Sequence, residues 1–189
     1  MKLVLASQSP RRRELLLAAG IDHVVRAAEV DETPHPDEPP VNYVRRLAEF
    51  KASAVMRLPE EIILGADTAV VCYGQILGKP ADAAHAGRML RLLAGRSHEV
   101  ITGVALLRHN EVRVEHAITQ VWFGPMTEAE IEAYIESGEP MDKAGAYGIQ
   151  GIASRYITRI DGSYSNVVGL PVELVWRMLN ESNSTASAS

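Results

Sequence analysis

Two kinds of hydrophobic pattern alternate along the chain. Apolar runs at Lys2–Ala6 and Ile62–Cys72 are typical of strands that are buried on both faces. Between them, Asn42–Arg57 places apolar residues three and four positions apart, which predicts an amphipathic helix. Val100–Arg108 and Val112–Phe123 predict two further strands that form an antiparallel pair. Strands and helices mixed in this way predict an α/β fold with a mixed central sheet flanked by helices.

Capping and turn residues set the boundaries of the other predicted elements. Ser9 and Pro10 predict the start of the first helix, and Gly20 predicts its end. Thr127 and Glu130 have the spacing of a capping box, which predicts the start of a later helix. The remaining expectations are a proline loop at Thr33–Pro40, a turn at Tyr73–Gly74, a strand at Gln75–Leu77, a helix from Asp82 to Gly95, a turn at His109–Asn110, a helix end at Gly138, a glycine-rich loop at Lys143–Gly151, a strand at Ile152–Ile160, a polar loop at Ser163–Asn166 and a last helix near Val172–Leu179.

Length and composition suit a single folded domain. The chain has 189 residues, of which 47% are hydrophobic and 23% charged, as in ordinary globular proteins. We expect one domain over residues 1–181. Residues 182–189 are small and polar, so we expect them to form a disordered tail.

Charge and cysteine content narrow the class of partner. The net charge of −5 argues against non-specific binding to nucleic acid, which requires a basic surface. No apolar run approaches the ~20 residues that span a bilayer, and the N-terminus lacks the layout of a signal peptide.

The single cysteine, Cys72, excludes an intrachain disulfide and is expected to be a core thiol. Six scattered histidines do not predict a histidine zinc site. We therefore expect a cytoplasmic protein with no membrane or nucleic-acid partner.

Three arginines crowd the predicted start of the first helix. The N-terminus of a helix already carries a partial positive charge. The positive charges of Arg11, Arg12 and Arg13 are therefore unfavourable at this helix end. The arrangement is explained if an anion binds there, held by backbone N–H groups, by Ser7 and Ser9, and by the arginines. The alternative is a solvated basic turn in which Ser9 is an ordinary cap.

Asp67 is the strongest single candidate for chemistry. It lies inside the apolar run Ile62–Cys72, where an isolated carboxylate costs several kcal/mol unless it is paired or bound to a metal. The neighbouring Gly65 allows a close approach, which favours a functional role. The alternative is a structural aspartate satisfied by backbone donors at a strand end.

Three more charged residues are weaker candidates. Lys51 lies where the apolar stripe of the second predicted helix should continue, and at such a position a lysine commonly extends its charge toward solvent. Lys79, within Gly78-Lys79-Pro80, follows the strand that returns from Asp67 and is also typical of a surface turn. Glu32 precedes the proline loop, where a solvated acid is the ordinary interpretation.

The glycine-rich loop is a candidate ligand-binding segment. Its three glycines free the backbone to approach a ligand, and Gln150 can donate to and accept from a base edge. The loop fits neither the Walker A pattern nor the Rossmann spacing. The polar stretch Ser163–Asn166 is either a second binding loop or a simple turn.

Taken together, these segments resemble the Maf family. They follow the family's order over nearly the whole chain and leave out mainly the polar tail. Each motif is weak alone, but the ordered set is very specific. The matching segments are Ala6–Arg12, Asp31–Glu32, Leu47–Ala52, Ala66–Thr68, Gly78–Pro80, His98–Gly103, Asp142–Gly151 and Gly162–Pro171.

The resemblance implies a fold similar to that of inosine-triphosphate pyrophosphatase-like enzymes, with two lobes around a deep cleft. It implies hydrolysis of a nucleoside triphosphate between the α- and β-phosphates with a divalent cation, Mg²⁺ or Mn²⁺. The implied catalytic residue is Asp67, supported by Glu32, Lys51 and Lys79, with Glu32 and Asp67 as metal ligands. Whether Asp67 acts mainly as a base or as a ligand stays open at this point.

The resemblance also implies a substrate class. The family branch that acts on dTTP and UTP is marked by an Arg, a Thr and a Gln, which map to Arg12, Thr68 and Gln150. The alternatives are the same chemistry on 7-methyl-GTP or other non-cognate nucleotides, and a nucleotide-binding regulator of cell division and septum formation. The family further suggests a homodimer.

Overall fold

The structure, a computed structural model, describes residues 1–109 and 111–184. Its strands are β1 (Lys2–Leu5), β2 (His23–Val25), β3 (Glu61–Cys72), β4 (Gln75–Leu77), β5 (Ser97–Arg108), β6 (Glu111–Phe123) and β7 (Ile157–Asp161). Its α-helices are α1 (Pro10–Ala18), α2 (Pro40–Ser53), α3 (Ala83–Leu93), α4 (Glu128–Glu136), α5 (Tyr164–Val168) and α6 (Val172–Ser184). Short 3₁₀ turns lie at Glu139–Asp142, Ala144–Ala146 and Ile152–Tyr156.

The strands of the described residues form one mixed sheet. Its order is β2-β1-β3-β5-β6-β7, and β4 pairs with β3 outside this path. Strand β1 runs parallel to β2 and β3, whereas β4 is antiparallel to β3 and β7 is antiparallel to β6. The predicted α/β class with a mixed sheet is confirmed.

The chain divides into two compact units. Unit 1 consists of Met1–Asp67, Thr102–Ala117 and the segment that begins at Gly169. Unit 2 consists of Thr68–Ile101 and Ile118–Val168.

Unit 1 has three layers, because successive side chains of its strands point to opposite faces. One face of β1, β3 and β5 packs against α1 and α6, and the other packs against α2. In β1, for example, Leu5 belongs to the first cluster and Val4 to the second, and both are fully buried. Burying each such side chain stabilises the fold by about 1.5–3 kcal/mol.

Two glycines determine how α2 lies against the sheet. A Cβ at Gly65 of β3 would stand 2.1 Å from the carbonyl oxygen of Ala48, and one at Gly103 of β5 would stand 2.2 Å from that of Val44. Both obstacles are backbone atoms of α2, which cannot move aside cheaply. Gly65 therefore allows a close approach, as the sequence suggested, but the partner that approaches is a helix.

Unit 2 has its own core. Helices α3 and α4, the glycine-rich loop and the inward side chains of its strand segments meet in one apolar cluster. Cys72 lies in this cluster as a buried free thiol, as predicted. Phe123 and Tyr147 meet edge to face within it, with ring centroids 5.2 Å apart.

The predicted helix starts are largely confirmed. The Asp82 side chain accepts a hydrogen bond from the His85 amide and caps α3. Thr127 and Glu130 form both bonds of the capping box at α4. Ser9 occupies the N-cap position of α1, but its side chain makes no cap bond.

Helix α2 starts and ends earlier than predicted. It covers Pro40–Ser53 instead of Asn42–Arg57, because a proline at the first helical position has the right φ and needs no N–H partner. The predicted turn at His109–Asn110 includes Asn110, which lies outside the described residues.

Two segments near the C-terminus differ from prediction. The strand expected at Ile152–Ile160 begins only at Ile157. Ala153 and Tyr156 are buried three residues apart, which suits a 3₁₀ turn and not a strand. The polar loop expected at Ser163–Asn166 is largely helical, since α5 begins at Tyr164, and the Ser163 hydroxyl accepts a hydrogen bond from the Asn166 amide at its start.

The last helix is longer than predicted. Helix α6 runs to Ser184 and so includes three residues assigned to the tail. Extending an existing helix is cheaper than starting one, so weak helix formers can follow it for a turn. Residues 185–189 of the predicted tail lie outside the described residues.

Among residues 1–109 and 111–184, no helix combines the length and the apolar character needed to cross a bilayer.

Candidate functional site

A lysine and two carboxylates meet in unit 1. Lys51 Nζ lies 2.6 Å from Asp67 Oδ1 and 2.6 Å from Glu32 Oε1. The Asp67 and Lys51 side chains are 9% and 13% exposed, whereas that of Glu32 is 54% exposed. We call these three residues the acid–lysine set. Two charges of the set are withdrawn from water, and the third stays accessible.

The packing of α2 on β3 brings the lysine to the aspartate. Gly65 and Asp67 point to the same face of β3 because they are two residues apart. Ala48 and Ala52 of α2 pack over Gly65, and Lys51 extends from the same side of that helix to Asp67. Lys51, which interrupts the apolar stripe of α2, thus forms an ion pair with Asp67. It does not simply extend toward solvent.

Burial dominates the ionisation of Asp67. It raises the pKa of the Asp67 carboxyl above its ordinary value, and the positive charges of Lys51 and Arg12 oppose that effect. The Glu32 carboxylate raises the pKa further. A carboxylate in this setting is a stronger base than one in water.

Arg12 is the member of the arginine cluster that turns inward. Its Nη1 donates to the Ser7 hydroxyl at 3.1 Å, and its Nε donates to the Gly169 carbonyl at 2.9 Å. Burial lowers the pKa of Arg12, while Asp67 and Glu32 oppose the shift. Arg12 is therefore not part of a solvated basic turn, although Arg13 is exposed.

Ser7 and Ser9 lie beside this guanidinium. The Ser7 hydroxyl also accepts a hydrogen bond from the Ser9 amide at 3.2 Å. This contact fixes the backbone just before α1, where the Ser9 side chain makes no cap bond to its own helix. The first turn of α1 thus carries a half-buried Arg11 and an inward Arg12 next to two hydroxyls.

Hydrogen bonds hold the loop that carries Glu32 against α2. The Tyr43 hydroxyl donates to the Glu32 carbonyl at 3.0 Å, and Arg46 donates to both oxygens of Glu38 at 2.7 and 2.6 Å. Arg46 also donates to the Thr33 carbonyl at 3.2 Å. The helix that supplies Lys51 therefore also holds the segment that supplies Glu32.

The roles of Tyr43, Arg46 and Glu38 in holding this loop were not predicted from the sequence. Tyr43 lies eight residues before Lys51, which places it near the same side of α2, and that spacing was an available signal. Burial raises the pKa of Tyr43 to about 12, and the charges of Asp67 and Glu32 contribute to the rise. The pairing of Arg46 with Glu38 has no sequence signal of its own, since such residues are common on exposed helix faces.

Three predicted site residues belong to unit 2. Thr68 directly follows Asp67 and is half-buried, while Lys79 and Gln150 are exposed. Their functional roles stay predictions.

The glycines of the glycine-rich loop face protein atoms. A Cβ at Gly145 would stand 2.8 Å from the Val70 side chain, and one at Gly148 would stand 2.7 Å from that of Lys143. A Cβ at Gly151 would stand 2.2 Å from the carboxylate of Glu139. The sequence suggested that these glycines admit a ligand, but at these three positions the space is needed by the protein itself.

The sequence is similar to those of a known family over nearly its whole length. A sequence model described as Maf-like protein matches residues 2–182. The dTTP/UTP pyrophosphatase of Symbiobacterium thermophilum is 54% identical over 181 residues, which cover 95% of this chain and 93% of that protein. The dTTP/UTP pyrophosphatase of Anaeromyxobacter sp. (strain Fw109-5) is 52% identical over 176 residues, with 90% and 84% covered. Among solved structures, the Staphylococcus aureus Ham1 protein is 14% identical with a TM-score of 0.48, covering 65% of this chain and 72% of its own.

Proposed function

This chain belongs to the Maf-like protein family, and from that premise we propose that it hydrolyses dTTP and UTP to the nucleoside monophosphate and pyrophosphate. The observation that carries the proposal is the acid–lysine set, in which a buried Asp67 and an accessible Glu32 share one lysine. The relatives named dTTP/UTP pyrophosphatase, which are more than 50% identical over most of the chain, support the substrate class.

In the proposed reaction, Asp67 accepts a proton from the attacking water. Lys51 donates to Oδ1, and Oδ2 is the oxygen proposed to take the proton. The water oxygen bonds to the α-phosphorus while the bond from that phosphorus to the α–β bridging oxygen breaks. The bonding electrons leave with pyrophosphate. Lys51 keeps the carboxylate oriented and ionised before the attack.

The first turn of α1 is the proposed phosphate-binding element. A triphosphate carries about four negative charges near neutrality, which suits a helix N-terminus with arginines. Arg12, already fixed by Ser7 and Gly169, loses little freedom when it binds an anion. Ser9, Arg11 and Lys79 are the further proposed contacts.

The acid–lysine set has the donor chemistry of a magnesium or manganese site. Glu32 and Asp67 offer hard oxygen ligands, and Mg²⁺ is commonly held by one or two carboxylates together with substrate phosphates. Within the described residues, no group of three or more His, Cys, Asp or Glu could hold a metal ion. Phosphate and water oxygens would complete the shell around a cation held by the two carboxylates. A divalent cation held by Glu32 and Asp67 would offset phosphate charge and acidify a bound water.

The proposed base preference depends on Arg12, Thr68 and Gln150. Uracil and thymine present an N3–H between two carbonyl groups, and a glutamine amide carries one donor group and one acceptor. Gln150 can therefore pair with N3–H and a carbonyl together, whereas Arg12 acts on the depth at which the phosphates are held. A site that hydrogen-bonds a base edge rejects the wrong base because its polar groups are then left unpaired.

Product analysis tests the proposal. With UTP and Mg²⁺ or Mn²⁺, we expect UMP and pyrophosphate to appear together without accumulation of UDP, as followed by chromatography. We expect dTTP and UTP to be hydrolysed at least ~10-fold better than ATP or GTP, the factor that one good hydrogen bond supplies. UDP and phosphate as the main products would refute the mechanism. Best activity on 7-methyl-GTP would refute the base assignment alone, and binding without turnover would favour the regulatory role.

A further inference from the structure

Gln150 lies between two anchored backbone amides in unit 2. Two residues before it, the Gly148 amide donates to the Tyr134 hydroxyl at 3.3 Å. Two residues after it, the Ile152 amide donates to Glu139 Oε2 at 2.9 Å. The Gly151 amide also donates to the Gly148 carbonyl at 3.1 Å and closes the turn that contains Gln150.

The two anchors are joined to each other. The Tyr134 hydroxyl donates to Glu139 Oε1 at 2.9 Å, so one continuous hydrogen-bonded path runs from Gly148 through Tyr134 and Glu139 to Ile152. Tyr134 is 2% exposed and extends from α4 into the core of unit 2, so its ring cannot shift easily. The buried ring therefore fixes both ends of an exposed turn.

The glycines fit this arrangement closely. The Glu139 carboxylate occupies the space that a side chain at Gly151 would need, and the stem of Lys143 occupies the space beside Gly148. Lys143 is itself fixed, since its Nζ donates to the Glu139 carbonyl and to Asp142 Oδ1, each at 2.7 Å. The backbone around Gln150 is thus held on both sides, while its side chain is exposed.

We propose that Tyr134 and Glu139 are positioning residues for base selectivity, which act by holding the turn so that the Gln150 amide is presented in one orientation. The inference rests on the proposed function, in which Gln150 recognises a pyrimidine edge. A recognition group on a fixed backbone binds more tightly because less freedom is lost on binding. Neither residue is required for the chemical step under this proposal.

Tyr134→Phe tests the inference, because it removes only the hydroxyl that links the anchors. The measurement is kcat and KM for UTP, dTTP, ATP and GTP with Mg²⁺. We expect the ratio of kcat/KM for UTP to that for ATP to fall roughly three- to tenfold, mainly through a higher KM for UTP, as for loss of one hydrogen bond. The kcat for ATP is expected to stay unchanged. Glu139→Gln keeps the buried ring intact and replaces an acceptor oxygen by a donor, so it is expected to lower the same ratio.

A double-mutant cycle with Gln150→Ala separates positioning from general loosening. Because Tyr134 is argued to act through Gln150, Tyr134→Phe is expected to change the UTP to ATP ratio no further in the Gln150→Ala background. Thr127→Ala is the matched control, since it breaks the capping box of the same helix without touching the turn. It is expected to lower the melting temperature and leave the ratio unchanged.

The outcomes of the inference and of the proposed function are distinguishable. If the wild type prefers UTP and neither Tyr134→Phe nor Glu139→Gln lowers the ratio, the positioning inference is overturned and the proposed function stands. Additive effects of Tyr134→Phe and Gln150→Ala, or a ratio lowered equally by Thr127→Ala, also overturn it. A wild type that hydrolyses all four triphosphates alike overturns the base assignment, and the inference with it.

Discussion

The acid–lysine set of unit 1 and the glycine-rich loop of unit 2 hold their polar groups by different means. In the acid–lysine set, charged side chains are buried against each other, and Asp67 responds with a raised pKa. In the loop, the exposed Gln150 is held through its backbone, whose neighbouring amides are anchored to Tyr134 and Glu139. One region controls the ionisation of a side chain, and the other controls the direction in which a side chain points.

The difference indicates how function divides between the two regions. A buried, charge-paired carboxylate suits proton transfer, which every substrate needs in the same way. An exposed amide on a fixed backbone suits recognition, which differs from one base to the next. We therefore expect changes in the acid–lysine set to slow all nucleotides alike, and changes in the loop to alter their ranking.

The largest effect is expected for Asp67→Asn. The amide keeps the shape of the carboxylate but removes its charge and basicity, so kcat should fall by 10²-fold or more for every nucleotide. The fold should survive, because a neutral amide costs less to bury than a carboxylate. Steady-state kinetics and thermal melting check both points, with the exposed Asp22→Asn as control. Near-normal turnover would show that Asp67 is not the base.

For Lys51→Met we expect a smaller loss of activity, which is again the same for all nucleotides. The variant keeps the apolar stem and removes the ammonium that contacts both carboxylates. We expect kcat/KM for UTP and for ATP to fall by the same factor, about tenfold, on the scale of a charge-assisted hydrogen bond. Lys2→Met removes an exposed lysine of unit 1 and serves as control. A loss confined to UTP would contradict the division between the regions.

The smallest effect on turnover at neutral pH is expected for His98→Gln in unit 2. Burial lowers the pKa of His98 from its ordinary value of 6.5 to about 4. The unfolded chain then binds a proton below pH 6.5 that the folded chain binds only below about 4. The stability of the wild type is therefore complete above pH 6.5 and falls, by up to about 3 kcal/mol, as the pH drops toward 4.

Urea unfolding between pH 4 and 8 measures this loss. The Tyr147 hydroxyl lies 2.7 Å from His98 Nε2, and a glutamine at position 98 can still form a hydrogen bond with it. Because glutamine does not titrate, the free energy of unfolding of the variant should change less with pH between 4 and 6.5. The exposed His109→Gln should keep the profile of the wild type. If His98→Gln loses stability with falling pH as steeply as the wild type, His98 is not the titrating group.

The sequence predicts the fold best where apolar residues repeat over many positions. The long strands β3, β5 and β6 and the helix starts at Asp82 and Thr127 follow from periodicity and capping. Strand β2 was missed because it has only three residues, two of them half-buried, and gains its stability from pairing with β1. The sequence predicts a strand where Ile152–Tyr156 forms a 3₁₀ turn, because the acceptor of the Ile152 amide, Glu139, lies 13 residues away.

The same reasoning explains which site residues could be found. Asp67 stands out in the sequence because a carboxylate inside an apolar strand is costly and requires a partner, whereas Lys51 gains a site role only through the resemblance to the Maf family. Tyr134 and Glu139 were not found, because a tyrosine on an apolar helix face and a glutamate after a helix are both ordinary. The Gly169 carbonyl that holds Arg12 has no sequence signal, since every residue carries a carbonyl.

The close packing of α2 against Gly65 and Gly103 has a consequence for how this chain tolerates mutation. Neither glycine carries a functional group, and neither has a positive φ that would by itself forbid other residues. Yet even one added methyl group would displace the helix that carries Lys51 toward Asp67. Selection for activity should therefore preserve these two positions as strictly as the reacting residues, and a survey of variants that scores only loss of turnover would mistake them for part of the chemistry.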